Sequence, residues 1–465
     1  MSARLESRLR EILRARRGDG AGTPPDGGDR VPSNGAASLP ARHPTVVRTS
    51  PDAPLRAAAE ALQGTVIERA GGACLLVERF YPADHPHGLL RVADAGGPAL
   101  SAAPELALLG GRPEPDPASA RGLLFIDLET TGLAGGAGTY AFLVGCAVLE
   151  RHGLRIRQLL LPGYQHERTL LAEVEALVRD TAGLVSYNGK TFDVPVLETR
   201  FQYNRLCPPF DGVGHVDMVH PARRFWRGAA PAGAWPDGDS CRLSVLERAL
   251  FGVRRLGDVP GFEIPARYFD FMRSGNAAPL EPVLEHNRLD LISLALLTAR
   301  AVRLLAGAPA SCESARESLA AGRFLERAGN VDAAERCYRD AAARAYVERR
   351  PDGAQIRAEA LRALALRCRR DRRHHEAADA WRGIVLDRNA PAAIRREALE
   401  ALAIHFEHRA RDLPQARRYA QLSLAERVGT RAMQQGRHRL ARLDRKLERG
   451  RGADTPGQPL LPEQG

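Results

Sequence analysis

Two acidic residues with a spacing suited to metal binding, Asp127 and Glu129, follow the apolar run GLLFI. Residues two apart on a strand point to the same face of a sheet, so we expect both carboxylates side by side at a sheet edge. Two negative charges this close together are costly unless cations neutralise them. Hard carboxylate oxygens suit Mg²⁺ or Mn²⁺. The pair therefore predicts a divalent metal site.

Two later segments add further carboxylates and a histidine. Asp193 follows a strand-to-helix turn, where it either joins the metal site or caps the helix. His286 and Asp290 are four residues apart, so they lie on the same face of a helix. Asp290 would complete the metal site, and a neutral imidazole can accept a proton from an attacking water. The alternative is that His286 is an ordinary helix histidine.

Three polar residues close to these acids are predicted to bind substrate. Thr130 follows Glu129 directly, and Asn188 and Lys190 lie in the turn before Asp193. Asn188 either orients the substrate or a carboxylate, or satisfies the turn. Lys190 either contacts a phosphate or is a solvated lysine. The Gly-Lys-Thr sequence of this turn imitates a nucleotide-binding loop, but the preceding glycine is out of register, which excludes nucleoside-triphosphate binding there.

The elements around these residues are predicted to form an α/β mixed sheet. Three strands with short connections come first, and helices and strands then alternate. The predicted strands are 122–129, 139–150, 154–163, 183–188 and 212–219. Helices are predicted at 167–180, from 191 onward, and at 280–306. This order of elements is that of a ribonuclease H-like fold.

Three motifs, DLETTGL, NGKTFD and HNRLD, occur in this order and resemble the DnaQ-like (DEDD) 3′–5′ exonuclease superfamily. Longer stretches, such as VSYNGKTFDVPVLETRF and GDVPGFEIPARYFDFMRSG, resemble the bacterial YprB-type ribonuclease H-like family. The resemblance covers residues 121–307 and, loosely, the C-terminal repeats. It implies hydrolysis of phosphodiester bonds in DNA or RNA with two Mg²⁺ or Mn²⁺ ions. The residues that match the metal-binding motifs are Asp127, Glu129, Asp193 and Asp290, and His286 falls where the general base belongs.

One position departs from the pattern of that superfamily. In the branch that uses a histidine base, the histidine usually lies five residues before the last Asp, and in the tyrosine branch the tyrosine lies four before. His286 takes the four-residue spacing, and Glu285 stands at the five-residue position. This departure favours an alternative function, a catalytically weak nuclease-fold scaffold that binds nucleic acid through its helical repeats. The complete set of four acids favours the enzyme.

From residue 312 onward the sequence changes to Ala-rich helical pairs. The second helix of each pair carries a small residue three or four positions before an aromatic one: Ala334 and Tyr338, Ala377 and Trp381, Ala416 and Tyr419. The repeat length exceeds the roughly 34 residues of a tetratricopeptide repeat, so the match is loose. We predict an all-α tetratricopeptide-like helical repeat domain at 311–450, and the alternative is a helical bundle without repeats.

The positive charge of the chain is concentrated in its C-terminal third. The formal net charge is +11, of which residues 311–465 contribute +10. A basic region attracts polyanions, nucleic acid above all. We predict single-stranded DNA or RNA as the partner, with the repeats as an arm that docks nucleic acid or a protein. The alternative is a solvated Arg-rich surface.

The segment 223–227 interleaves arginines with Phe225 and Trp226, which indicates either single-strand binding or packing in a core.

Composition excludes several classes of protein. No run approaches the roughly 20 apolar residues that span a bilayer, and the first residues lack the apolar region of a secretory signal. The seven cysteines contain no C-x-x-C pair, which argues against structural zinc and disulfides and favours the cytoplasm.

The predicted segments are 1–54 (amphipathic helix and disordered linker), 55–120 (small β-hairpin-containing segment and linker), 121–307 (exonuclease domain), 311–450 (repeats) and 451–465 (disordered tail).

Overall fold

A mixed β-sheet of seven strands forms the centre of the N-terminal part of the chain. The structure is a computed structural model that describes residues 53–110, 122–132, 138–228, 241–348, 350–426 and 430–453. The predicted N-terminal helix, most of the first linker and the tail from 454 lie outside the described residues. The element order confirms the predicted fold class, a ribonuclease H-like mixed sheet followed by a helix-rich C-terminal region.

The sheet has the strand order β1-β2-β7-β6-β5-β8-β9. Its strands are β1 (Thr65–Arg69), β2 (Gly72–Pro82), β5 (Leu123–Thr130), β6 (Ala141–Glu150), β7 (Gly153–Leu160), β8 (Gly183–Ser186) and β9 (His215–Asp217), and β3 (Pro86–His87) pairs with β4 (Leu90–Arg91) separately. Strand β5 lies between antiparallel β6 and parallel β8. The carboxyl ends of the parallel strands β5 and β8 therefore meet at one edge of the sheet, where the first acids were predicted.

The hairpin β1–β2 belongs to this sheet, although the sequence placed it in a separate segment. Strand β2 pairs with β7 from Leu75 opposite Leu160 to Pro82 opposite Gly153. Without β2, strand β7 would leave a row of unpaired backbone groups at the edge of the sheet. The buried side chains of Cys74 and Val77 extend the core of the sheet across the hairpin.

Helices cover both faces of the sheet, so its central strands are apolar on both sides. Along β5, Leu123 and Phe125 enter one core, and Leu124 and Ile126 enter the other. The helices are α1 (Ala53–Ala61), α2 (Glu105–Gly110), α3 (Glu167–Arg179), α4 (Asp193–Tyr203), α5 (Val219–Phe225), α6 (Leu243–Phe251), α7 (Ile264–Ser274) and α8 (Glu281–Ala306). Helix α8 packs across β5, β6 and β7 and is buried over most of its length.

The C-terminal part consists of antiparallel helix pairs. They are α9 (Ala315–Arg327) with α10 (Val331–Glu348), α11 (Gly353–Arg370) with α12 (His374–Leu386), and α13 (Ala392–His408) with α14 (Leu413–Ala425), followed by α15 (Thr430–Ala453). The three predicted pairs are thus helical, and their tetratricopeptide-like character stays a prediction. In the described part of the chain, none of the helices has the length and apolar character needed to cross a membrane.

Phe225 and Trp226 join the two parts of the molecule. Both side chains are buried. The Phe225 ring stacks on Phe324 of α9 at 5.2 Å between centroids, and Trp226 Nε1 donates a hydrogen bond to Glu317 Oε1 at 2.8 Å. The aromatic residues of segment 223–227 therefore form core packing rather than a surface for single strands.

The packing of the first helix pair leads to a stability prediction at Gly322. A Cβ atom added there would lie 2.7 Å from the ring of the buried Tyr338. In Gly322→Ala, the cost of moving this ring, about 1–3 kcal/mol, should exceed the gain in helix propensity of about 1 kcal/mol. We expect a lower free energy of unfolding, measured by denaturant titration.

The matched control is Gly383→Ala, also in a helix. Its added Cβ would meet only the flexible end of Leu361, at 3.0 Å, so this variant should be as stable as the parent or more stable. Equal stability changes for the two variants would contradict the packing explanation.

Candidate active site

Four carboxylates from three separate elements converge at one edge of the sheet. Asp127 and Glu129 lie near the end of β5, Asp193 is the first residue of α4, and Asp290 lies in α8. Burial, followed by the negative charges of Asp290 and Glu129, raises the pKa of Asp127 well above its usual value. Burial and the charges of Asp290 and Asp193 likewise raise the pKa of Glu129. The structure thus brings together the four acids that the sequence singled out.

Asp127 is held by a buried amide that the sequence analysis did not assign to the site. The Nδ2 group of Asn287 donates to Asp127 Oδ2 at 2.8 Å and to the Asp127 carbonyl at 3.2 Å. Gln158 Nε2 donates to Asn287 Oδ1 at 2.8 Å, and Arg288 Nη1 donates to Gln158 Oε1 at 3.1 Å. Because Asn287 and Gln158 are fully buried, this chain of hydrogen bonds fixes both the position and the orientation of Asp127.

Gly145 provides the space that Asn287 occupies. It lies on β6 directly opposite Asp127. A Cβ atom at Gly145 would stand 2.0 Å from Asn287 Oδ1. Any side chain at this position would therefore push the amide away from Asp127.

Asp193 is buried, and a second carboxylate shapes the turn before it. Burial and, less strongly, the charge of Asp217 raise the pKa of Asp193 to about 7, although backbone N–H groups, including that of Leu128, act in the opposite direction. Asp217 accepts hydrogen bonds from the amides of Asn188 at 2.7 Å and Lys190 at 3.0 Å. Asp217 therefore holds the turn that delivers Asp193 to the site.

His286 lies between two carboxylates. Its Nδ1 atom is 2.6 Å from Asp258 Oδ1, and its Nε2 atom is 3.6 Å from Asp290 Oδ2. Asp258 lies in the loop between α6 and α7 and was not among the predicted site residues. The contact with Asp258 orients the ring so that Nε2 faces the acid cluster.

Arg255 supplies a fixed positive charge beside the acids. It contacts Asp290 Oδ1 through Nη2, and it donates to both oxygens of the buried Glu247, at 2.6 and 2.8 Å. Its charge also lowers the pKa of Glu129, against the stronger effects that raise it. Arg255 was not predicted either, since a single arginine in an Arg-rich chain carries no local signal.

The three residues predicted to bind substrate lie around the same edge. The Thr130 hydroxyl donates to the carbonyl of Gly132 at 2.9 Å and is buried. Asn188 has a left-handed backbone, with φ of 70°, and its Oδ1 accepts from the Thr191 hydroxyl at 2.8 Å. Lys190 is exposed. In this structure, Thr130 and Asn188 support local backbone, and the substrate-binding role of all three stays a prediction.

The donor set fits a divalent cation by its chemistry. Buried carboxylates with raised pKa values are stabilised in their charged form by a cation, and hard divalent ions prefer carboxylate oxygens. As the side chains stand, no three His, Cys, Asp or Glu residues in the described part of the chain are arranged around a common metal position. Asp127 Oδ2 is bonded to Asn287 and Asp290 Oδ1 contacts Arg255, so these oxygens would have to be shared with an ion.

Comparison with known proteins agrees with this fold. A family model described as RNase_H superfamily matches residues 124–302, a range that includes all four acids. A protein named "Uncharacterized protein YprB", from Bacillus subtilis (strain 168), is 30% identical over 382 residues, which are 80% of this chain and 86% of the relative. The chain belongs to the YprB family. Its ribonuclease H-like fold suggests nuclease chemistry on nucleic acid, for which divalent metal ions are the general cofactors.

The contact between Asn287 and Asp127 can be tested through Gly145. In Gly145→Ala the methyl group displaces the Asn287 amide, and Asp127 loses its hydrogen bond. Because residues that orient metal ligands contribute about 10–100-fold to metal affinity, we expect at least a tenfold weaker binding of Mn²⁺, measured by electron paramagnetic resonance of the free ion. Gly138→Ala is the control, since an added Cβ there meets nothing within 4 Å. Unchanged Mn²⁺ affinity in Gly145→Ala would contradict the positioning role of Asn287.

The raised pKa of Asp193 predicts a pH dependence of stability in EDTA. Between the ordinary value of 3.8 and the folded value of about 7, the unfolded chain has released this proton while the folded chain retains it. The unfolded state therefore binds fewer protons, and the free energy of unfolding should fall as the pH rises from about 4 to about 7. Asp193→Asn should make this decline shallower in denaturant titrations. A decline of the same steepness in the variant would refute the assignment.

Proposed function

We propose that the chain is a metal-dependent 3′–5′ exonuclease of the DEDD type that hydrolyses phosphodiester bonds of DNA or RNA. The observation that carries the proposal is the convergence of Asp127, Glu129, Asp193 and Asp290 on one sheet edge. There the charges of Asp193 and Asp290 raise the pKa values of both Asp127 and Glu129, and the charge of Glu129 also raises the pKa of Asp127. Such a concentration of buried negative charge is costly unless cations share the site. The ribonuclease H-like fold supports the same class of chemistry.

The four acids would hold two Mg²⁺ or Mn²⁺ ions. When bound, such ions lower the pKa of water and stabilise negative charge on a phosphate and its leaving oxygen. Asn287 keeps Asp127 in place for this role, and the turn that Asp217 holds does the same for Asp193.

His286 would act as the general base through Nε2. The Nδ1 atom is engaged by Asp258 at 2.6 Å, which leaves Nε2 to accept a proton from the attacking water. Asp258 also stabilises the imidazolium that results, as a carboxylate partner does for other catalytic histidines. This partner supports a histidine base at the unusual four-residue spacing, because the ring is aimed at the cluster rather than left to rotate.

The substrate would enter as a single strand of DNA or RNA. Lys190 is exposed at the turn beside Asp193 and would pair with a phosphate. Asn188 would orient the substrate. Thr130 would shape the end of β5 against which the substrate lies. The tetratricopeptide-like repeats, which carry most of the net positive charge, would hold a distal part of the nucleic acid or a protein partner. We place this activity in the cytoplasm, in keeping with seven cysteines that form no disulfide bond within the described residues.

One observation favours a second function, that of a catalytically weak scaffold. Arg255 contacts Asp290 and is fixed by Glu247, so a positive charge already occupies part of the space that a second cation needs. A chain in which this contact persists would bind nucleic acid without cutting it efficiently.

The decisive experiment compares cleavage by the full chain and by Asp127→Ala. Single- and double-stranded DNA and RNA, labelled at the 5′ end, are incubated with Mg²⁺ or Mn²⁺. We expect stepwise shortening of a single strand from its 3′ end and a loss of about a hundredfold or more in the variant, since acids and cations act as a unit. Asp332→Ala, at an exposed position of α10, is the matched control.

Two outcomes would go against the enzyme. Cleavage that persists unchanged in Asp127→Ala would place the activity elsewhere. Binding of nucleic acid by the wild-type chain without cleavage of any of the four substrates would favour the scaffold.

A further inference from the structure

A continuous strip of aromatic rings and one arginine lies beside the acid cluster. We call it the aromatic strip, and its members are Tyr203, Arg200, Tyr140, Tyr164, Tyr268 and Phe269. The Arg200 guanidinium lies 3.9 Å from the centroid of the Tyr140 ring and 4.5 Å from that of Tyr203. Tyr140 stacks on Tyr164 at 4.2 Å. The contacts continue from Tyr164 to Tyr268 at 6.5 Å and from Tyr268 to Phe269 at 6.1 Å.

The middle of the strip, at Tyr140, lies at the sheet edge that carries the acids. The Tyr140 amide donates to the Thr131 hydroxyl, and the Thr131 amide donates to the Tyr140 carbonyl, both at 3.0 Å. Thr131 is two residues after Glu129 in sequence. Arg200 and Tyr203 lie seven and ten residues beyond Asp193 on α4, which corresponds to about 10 and 15 Å along a helix. One arm of the strip, formed by Arg200 and Tyr203, therefore leads away from the acids along α4.

Arg200 and Tyr268 are fully buried and fix the strip from below, whereas its outer rings are open to solvent. Glu167 accepts from Arg200 Nε and Nη2, both at 2.6 Å, and this ion pair is buried. The exposed fractions of the outer rings are 63% for Tyr203, 39% for Tyr164 and 37% for Phe269. A cluster that served only as core would bury these rings, whereas a rigid row of half-open rings suits a ligand with flat faces.

Positive charge beside the strip suits a ligand that carries negative charge as well as rings. The exposed side chains of Arg168 and Arg205 lie next to the Tyr203 end of the strip, where Arg168 donates to the carbonyl of Asn204 at 2.8 Å. The bases of a nucleic acid stack on aromatic and guanidinium planes, and its backbone phosphates pair with arginine.

We propose that the aromatic strip binds the unpaired nucleobases of a single strand whose phosphodiester bond lies at the acid cluster. The proposal rests on the proposed nuclease function and names the part of the surface that selects a single strand. A duplex keeps its bases stacked on one another, so it cannot offer their faces to Tyr164 and Tyr203.

The test measures binding without cleavage, in the Asp127→Ala background. Fluorescence anisotropy compares an oligothymidylate with an abasic strand of the same length and charge. Tyr164→Ala and Tyr203→Ala should each weaken binding of the oligothymidylate about fivefold or more and leave binding of the abasic strand unchanged. Tyr164→Phe and Tyr203→Phe should bind as the parent does. Phe80→Ala, 41% exposed on β2, is the matched control and should change neither affinity.

Equal affinity of the parent for the two strands, or unchanged oligothymidylate binding in both alanine variants, would overturn the proposal and leave a protein ligand as the alternative for this surface. Thermal unfolding of each variant, with Tyr164→Leu as a substitution that retains apolar volume, separates lost stacking from lost folding.

The outcomes for the two proposals are separable. Cleavage that depends on Asp127 but not on Tyr164 or Tyr203 would sustain the nuclease and reject the strip. Base-dependent binding without any cleavage by the wild-type chain would sustain the aromatic strip as a binding surface and reject the nuclease function.

Discussion

Repulsion between buried carboxylates is the constraint around which the candidate site is arranged. Asp127, Glu129 and Asp193 are all pushed toward their protonated forms by burial and by neighbouring negative charge. A protein keeps such an arrangement only where other groups compensate for its cost. Here the compensation comes from donors and one cation: the Asn287 amide, the Arg255 guanidinium and the backbone N–H of Leu128. The apolar strand β5 contributes as well. Because helices cover both of its faces, it brings the acids at its end to the edge of the buried core.

Much of this arrangement was predictable because it depends on local patterns. The apolar run before Asp127, the i and i+2 spacing of the first pair and the four-residue spacing of His286 and Asp290 each follow from the geometry of a single strand or helix. The order of strands and helices then limits how these pieces meet. The predicted fold class is therefore confirmed, and the structure places the four acids together as the motifs implied.

The remaining features depend on contacts between distant parts of the chain. Asn287 was visible in the motif HNRLD, but its role depends on the absence of a side chain at Gly145, more than 140 residues earlier. Asp258 and Arg255 lie in a loop without regular periodicity, and the pairing of β2 with β7 joins segments separated by the acids' own strand. A pattern search that paired glycines in a buried strand with amides in a facing helix could have found the first of these. The roles of the loop residues carry no comparable signal.

The continuity of one hydrophobic core across both parts of the molecule has a practical consequence. Residues of β5, the second half of α8 and the first helix pairs belong to the same cluster of buried side chains, and Phe225 and Trp226 pack directly against α9. The boundary near residue 310 therefore separates two patterns of sequence but does not separate two cores. Excising the sheet alone for recombinant expression would expose the apolar side of α8 that α9 covers, and such an exposed apolar surface favours aggregation.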